Sequence, residues 1–213
     1  TRQLKDREFL EKYFLLTDEM KALRRGRGIE DRHVGKVVGG LFYEPSTRTR
    51  TTFETAALRI GARTVFTENA KDFSSNVKGE SFEHSLLAVE ECFDALVVRH
   101  GESGAAKRAA SVVHVPFINA GDGNNQHPTQ ALLDSYTINA YFNRLDRLRV
   151  GFVGDMVYGR TIRSLAYLLV HMDHNELFFA APPETAMPQN MREYLGQRGQ
   201  RFEETDNVDD ILP

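Results

Sequence analysis

Short apolar runs alternate with segments of helical periodicity along nearly the whole chain, and this alternation most restricts what it can fold into. Runs at 36–43, 64–67, 95–98, 115–119, 149–153, 176–181 and 200–203 read as strands. Helical patterns fill 6–25, 47–60, 81–91, 104–111, 128–142, 161–171 and 188–197. Asp6 is placed to cap the first helix, Gly26 and Gly28 to end it, and Pro128 stands where a helix start accepts proline. Strands that alternate with helices form parallel sheets with helices on both faces. The expected fold is α/β, with two doubly wound parallel-sheet domains joined by a helix. Their boundary falls near 143–148, giving domains 1–142 and 143–213.

The second domain has only three strands, which predicts an uncovered apolar sheet edge. Val208 to Pro213 stops where another strand is due, so further sequence is expected beyond it. A first residue other than Met predicts a few residues before Thr1.

Ligands of open parallel sheets bind outside the carboxyl ends of the strands. Four segments stand there. Glu44-Pro45-Ser46-Thr47-Arg48-Thr49-Arg50 joins the first strand to a helix. Hydroxyls and guanidinium groups thus gather at a helix N-terminus, whose free N–H groups and dipole favour an anion. Arg48 adds a planar fork of donors suited to phosphate. Arg99-His100 follows the strand at 95–98, the run from Asn119 to Gln130 carries Gly121, Gly123 and His127, and Gly154 to Thr161 carries Arg160. Each has an ordinary reading too. The 46–50 segment also reads as an ordinary capped, solvated helix start. Arg99 can pair with a surface carboxylate, His127 can satisfy a turn carbonyl, and the glycines can serve a tight turn. Their common position at strand ends favours the functional reading.

Gly154-x-x-x-x-Gly159-Arg160-Thr161 comes close to a phosphate-cradling nucleotide motif, with arginine for lysine and no downstream strand ending in the needed aspartate. His171-Met172-Asp173-His174 has the residue types of a metal site but lacks a third partner, and reads as surface. A net charge of −3 excludes bulk attraction to nucleic acid, so an anion site must come from local arginines. No apolar run is long enough to cross a membrane, and no signal peptide is visible. Cys92 is the only cysteine, so no intrachain disulfide forms; its helical context predicts a buried apolar role. A cytoplasmic enzyme is the expected class.

Six motifs together resemble one family. They are Glu44-Pro-Ser-Thr-Arg-Thr-Arg50, Lys78-Gly-Glu-Ser81, Val98-Arg-His100, Asn119-Ala-Gly-Asp-Gly123, His127-Pro-Thr-Gln-Ala-Leu-Leu-Asp134, and Gly154-Asp155 with Gly159-Arg-Thr161. In order and spacing they resemble the aspartate carbamoyltransferase catalytic chain, within the aspartate/ornithine carbamoyltransferase superfamily. The Ser-Thr-Arg-Thr-Arg element is shared with the ornithine branch, and the others favour the aspartate branch.

The resemblance implies a carbamoyl-phosphate domain followed by a partial aspartate domain. It implies transfer of the carbamoyl group of carbamoyl phosphate to the α-amino group of L-aspartate, a step of pyrimidine biosynthesis, with no metal and no organic cofactor. Ser46, Thr47, Arg48 and Thr49 would hold the phosphate, while Thr49, Arg99 and His127 would surround the carbonyl oxygen. Gln130 would accept from the carbamoyl NH2, and Arg160 would hold an aspartate carboxylate. Lys78 and Ser74 would reach into a neighbouring subunit's site in a homotrimer, with Lys78 also touching aspartate, and larger assemblies with regulatory or dihydroorotase chains fit the family. Val157 departs from it, standing where the family often has lysine, and the family's remaining aspartate-binding residues would lie beyond Pro213. Two other outcomes stay open: a carbamoyltransferase for another amine such as ornithine, and a non-catalytic homologue.

Overall fold

The computed structural model describes residues 3–26, 31–70 and 79–212. The chain divides into two compact units, Lys12–Gly123 and Asn124–Pro213, the latter with Thr1–Glu11.

The first unit holds a four-stranded parallel sheet built from β1 (Val37–Phe42), β2 (Arg63–Glu68), β3 (Ala95–His100) and β4 (Phe117–Asp122), in the order β2-β1-β3-β4. The chain steps from β1 to β2 on one side and returns to β3 on the other. The carboxyl ends of β1 and β3 therefore flank the point where the order reverses, the usual place for a ligand in a doubly wound sheet. Strand alternation sorts the side chains onto two faces. Phe42, Val97 and Ala120 pack with Phe53 of α2 (Thr47–Arg59) and with Phe66. Tyr43, Leu96 and Val98 pack with Phe82 and Leu86 of α3 (Phe82–Glu90) and with Ala105 and Ala109 of α4 (Ala105–Val112).

Two adjacent glycines sit in the middle of β1. A Cβ on Gly40 would lie 2.2 Å from the Phe66 ring, and one on Gly39 would lie 2.7 Å from the Phe93 ring. The Phe66 and Phe93 rings thus press closely against the bare backbone of this interior strand.

The second unit holds a three-stranded parallel sheet, β5 (Arg149–Val153), β6 (Glu176–Ala180) and β7 (Arg201–Thr205), in sequential order. Around it lie α5 (Pro128–Phe142), α6 (Arg160–Leu169) and α7 (Gln189–Gln197), with α5 and α6 packed on each other. Phe152 and Phe179 stack across neighbouring strands with centroids 4.9 Å apart. Buried Asn175 accepts from Leu148 N–H at 2.9 Å and donates to the Leu145 and Leu169 carbonyls, so its amide ties the entry of β5 to the end of α6. α1 (Arg7–Arg25) starts at the Asp6 cap, whose Oδ1 accepts from the Glu8 and Phe9 amides. Arg7 makes a bidentate pair with Asp146 and reaches Asp173 at 2.9 Å, tying the start of α1 to this unit.

Three readings need correction. Arg99 and His100 do not follow β3 but are its last two residues, because the backbone ladder continues to His100 paired with Asp122. Likewise β4 starts at Phe117 and runs through Asp122, so Ala120 to Asp122 is strand rather than turn. Cys92 is exposed, because α3 ends at Glu90 and leaves Cys92 in the following turn. By packing, α5 lies against α6 in the compact unit that begins at Asn124.

Candidate functional site

The apolar run of β1 ends at Phe42, and Pro45 and Ser46 turn the chain into α2. Ser46 takes the N-cap position, but its side chain makes no capping hydrogen bond. The first intrahelical bond runs from Arg50 N–H to the Ser46 carbonyl. The amides of Thr47, Arg48 and Thr49 therefore face outward with no side-chain cap, where the helix dipole favours negative charge. Arg48 stands exposed in this first turn, and no carboxylate among the described residues pairs with its guanidinium. Arg50 does something different. It binds Glu54 at 3.0 Å and approaches Glu68 of β2 at 3.7 Å, so it braces the helix against the sheet.

Arg99, at the end of β3, is buried, and its Nη2 donates to Glu44 Oε1 at 3.0 Å. The Tyr43 amide donates to the Arg99 carbonyl at 2.8 Å. The loop leading to α2 and the end of β3 are thus tied by both backbone and side chain, on either side of the order reversal. Sequence reading allowed Arg99 a carboxylate partner; one such partner proves to be Glu44, in the segment that leads into α2. His100 accepts from the Glu102 amide through Nδ1 at 3.0 Å, and its ring lies against Tyr43 and Phe82. Beyond β4, Gly123 adopts φ +51°, and a Cβ there would meet Ser103 N at 2.6 Å. Its amide donates to the His100 carbonyl, and the Gly104 amide donates to buried Asp122. Gly123 thus serves close backbone contact.

In the second unit, His127 is the N-cap of α5. Its amide donates to Ser164 Oγ at 2.8 Å, and that hydroxyl donates to Gln126 Oε1 at 2.9 Å, all three residues being buried. Ser164 lies one helical turn beyond Arg160 on α6, so the helix carrying Arg160 also holds the His127 backbone. Thr129 Oγ1 lies 3.3 Å from His127 Nδ1. Gln130, in the first turn of α5, donates from Nε2 to Asp134 Oδ1 at 2.9 Å. Burial pushes the Asp134 carboxyl above the usual carboxylate range, and the Gln130 hydrogen bond opposes that rise.

The loop entering α6 settles the nucleotide look-alike. Asp155 Oδ1 accepts from the amides of Val157 and Tyr158, both at 2.8 Å. The Met156 amide donates to the Thr185 carbonyl and the Arg160 amide to the Tyr158 carbonyl. The amides of Met156, Val157, Tyr158 and Arg160, donors that a phosphate cradle would use, are thus already taken by protein oxygens. Gly159 is required there, since a Cβ would lie 2.1 Å from the Asp155 carbonyl oxygen. A cavity of about 310 Å³ opens at the carboxyl ends of β6 and β7, lined by Met156, Phe179, Met187, Arg192, Glu204 and Asp206 among others; Arg160 does not line it.

The structure brings Ser46, Thr47, Arg48, Thr49 and Arg99 to one sheet edge in the first unit, and His127, Gln130 and Arg160 to two adjoining helix starts in the second. Lys78 and Ser74 lie outside the described residues. Among the described residues no cluster of His, Cys, Asp and Glu is arranged to hold a metal ion, His171 to His174 included, and no helix is long and apolar enough to cross a membrane. Sequence reading missed Glu44 as a partner of Arg99, Asp155 as the organiser of its loop, Ser164 beneath His127, and Asp134 beside Gln130. Only the last left a signal, its spacing of four on one helix face.

The sequence model of the aspartate/ornithine carbamoyltransferase carbamoyl-P binding domain matches residues 1–140. A chloroplastic aspartate carbamoyltransferase of Oryza sativa subsp. japonica is 46% identical over 208 residues, covering 95% of this chain and 57% of that protein. The aspartate carbamoyltransferase catalytic subunit of Methanothermobacter thermautotrophicus is 42% identical over 207 residues, covering 97% of this chain and 65% of that subunit. The chain thus spans less than two thirds of either relative. The solved catalytic subunit of M. jannaschii aspartate transcarbamoylase superimposes with a TM-score of 0.87 at 39% identity, over 97% of this chain and 67% of that one. The Trypanosoma cruzi aspartate transcarbamoylase, solved with carbamoyl aspartate and phosphate, gives 0.89 at 30% identity, over 98% and 68%. With its sheet order, its uncapped arginine-bearing helix start and these matches in agreement, the chain belongs to the aspartate/ornithine carbamoyltransferase family.

Proposed function

We propose that the protein of which this chain forms the whole or a part transfers the carbamoyl group of carbamoyl phosphate to the α-amino group of L-aspartate, giving N-carbamoyl-L-aspartate and phosphate for pyrimidine biosynthesis. The observation that carries this reading is the start of α2, with Arg48 in its uncapped first turn, beside buried Arg99 at the reversal of strand order. The naming of its relatives as aspartate carbamoyltransferases supports the acceptor.

In this reading residues 1–142 bind the donor and residues 143–213 contribute to binding the acceptor. Ser46, Thr47, Arg48 and Thr49 hold the phosphate through hydroxyl, amide and guanidinium donors. The amine attacks the planar carbonyl carbon, a C–N bond forms, and charge grows on the carbonyl oxygen. Thr49, Arg99 and His127 donate to that oxygen, and fixed donors there stabilise the transition state more than the ground state. Losing one such donor typically costs about 2.7–4 kcal/mol of barrier. The C–O bond to phosphate then breaks, and the departing phosphate takes the amine proton, so no dedicated protein base is required. Gln130 accepts from the carbamoyl NH2, and Arg160 binds an aspartate carboxylate. Lys78 and Ser74 complete the site of a neighbouring subunit in a homotrimer that works in the cytoplasm.

The test is product formation by the natural full-length protein, given carbamoyl phosphate with either aspartate or ornithine. Carbamoyl aspartate is expected, with no citrulline. Product from ornithine alone overturns the acceptor, and no product from either overturns the reaction.

A further inference from the structure

Gln130 and Asp134 face each other one turn apart on α5, with Gln130 Nε2 at 2.9 Å from Asp134 Oδ1. The carboxylate is half-buried, and no arginine, lysine or histidine among the described residues pairs with it. A helical Gln–Asp pair of this spacing adds little stability, whereas withdrawing an unpaired carboxylate from water is unfavourable. An arrangement that is poor for stability marks a place where something else is being set. An ionised carboxylate only accepts hydrogen bonds, so the end of the amide that meets it must be the NH2. The other end, the carbonyl Oε1, is then the end that Gln130 presents to its surroundings.

We propose that Asp134 is a positioning residue that fixes the polarity of the Gln130 amide, and that it thereby selects a donor carrying an NH2 group over an isostere that has none. The inference rests on the proposed carbamoyl-phosphate site and deepens it. An acceptor-only carbonyl rewards an N–H donor on the ligand and offers nothing to a methyl group. When Asp134 is lost, the amide rotates freely and turns its own NH2 toward the ligand for part of the time. A site built to hydrogen-bond one group discriminates best when its polar atoms cannot rearrange.

The experiment compares the dissociation constants of carbamoyl phosphate and acetyl phosphate, the latter carrying CH3 in place of NH2, for the natural full-length protein and its variants. Wild type is expected to prefer carbamoyl phosphate. Asp134→Ala lowers that preference about 10-fold, mostly by weakening carbamoyl phosphate, the size expected for one hydrogen bond. Asp134→Glu keeps an acceptor-only partner and retains most of the preference. In a Gln130→Ala background, Asp134→Ala moves the preference no further, because its route of action is gone. An unchanged preference in Asp134→Ala, or an equal further loss in the Gln130→Ala background, overturns the assignment. If Asp134→Ala does not fold, Asp134→Lys, which can only donate and so reverses the amide, decides: a preference kept at the wild-type level overturns it. Failure of wild type to bind carbamoyl phosphate at all refutes the parent reading instead, so the two failures are distinct.

Discussion

Arg99 and Glu44, 55 residues apart in the chain, form an ion pair of 3.0 Å that joins the end of β3 to the segment leading into α2. The guanidinium is buried, while the carboxylate is about one-third exposed. This pair places a negative charge beside a region otherwise rich in cationic and amide donors. Two opposed effects follow from removing it. In Glu44→Gln the buried guanidinium loses its counter-charge, which weakens the fold by about 1–2 kcal/mol; solvent access on the Glu44 side keeps the loss below that of a fully buried pair. At the same time inorganic phosphate binds more tightly, because a repelling charge has gone. Urea unfolding and phosphate titration on the same variant separate the two. A variant that is weakened in both respects contradicts the placement of the anion next to this pair.

The bare face of β1 makes a second prediction. Gly40→Ala puts a methyl group where the Phe66 ring already lies. The ring must leave its rotamer or β2 must shift, and overpacking of this kind costs about 1–3 kcal/mol. Thermal unfolding of the variant is expected several degrees below wild type. Gly40→Ala with Phe66→Leu should recover part of the loss, since the smaller side chain vacates the space. An unchanged midpoint for Gly40→Ala alone removes the close-packing account of this glycine.

Much of this architecture was legible in the sequence, and what was missed has a common cause. The helix Pro128–Phe142 could be bounded because proline at its first position and apolar periodicity are local signals. The ends of β3 and β4 could not, because Arg99, His100 and Asp122 are polar, and a backbone ladder is indifferent to side-chain polarity. Cys92 looked buried because the apolar pattern around it continues for two residues after α3 has stopped. At the site, Arg48, Arg99, His127 and Arg160 were visible as strand-end and helix-start residues. The contacts of Glu44, Asp155 and Ser164 were not, since they are made by distant or folded-back chain.

The clamp at the start of α1 gives the fold an acid-sensitive contact. Its pairing with Arg7 holds the Asp146 carboxyl below the usual carboxylate range. A carboxyl whose folded pKa is depressed stabilises the protein fully above its unfolded value, about 3.9, and loses that contribution as pH falls through the lower folded value. Both side chains are partly exposed, which limits the pair to about 0.5–1 kcal/mol. Asp146→Asn is therefore less stable than wild type at pH 7, and the gap closes as the pH falls below about 4, toward the folded value. Salt narrows the gap at neutral pH. A gap that persists unchanged at pH 2 would mean the effect is not ionic.

Arg48 and Arg50 lie two residues apart in α2, yet the structure gives them different work. Arg48 is exposed in the uncapped first turn, whereas Arg50 is held by Glu54 and Glu68 and is half-buried. Replacing an exposed side chain that has no internal partner changes stability by no more than about 0.5 kcal/mol. Losing a charge-assisted bond to phosphate, by contrast, removes about 1.5–3 kcal/mol of binding, or roughly 10–150-fold in affinity. Arg48→Ala is therefore expected to unfold at the wild-type urea concentration and to bind inorganic phosphate and carbamoyl phosphate poorly. Arg50→Ala should show the reverse ordering. It leaves two carboxylates facing each other across α2 and β2, unfolds at lower urea, and keeps the larger part of its phosphate affinity. Arg160→Ala, on the other unit, supplies the control: it should leave phosphate binding intact and weaken aspartate. Calorimetric titration of the three variants with phosphate, read beside their urea midpoints, distinguishes a phosphate ligand from a structural brace. If Arg50→Ala loses phosphate as completely as Arg48→Ala while remaining fully stable, the anion does not sit at the first turn of this helix.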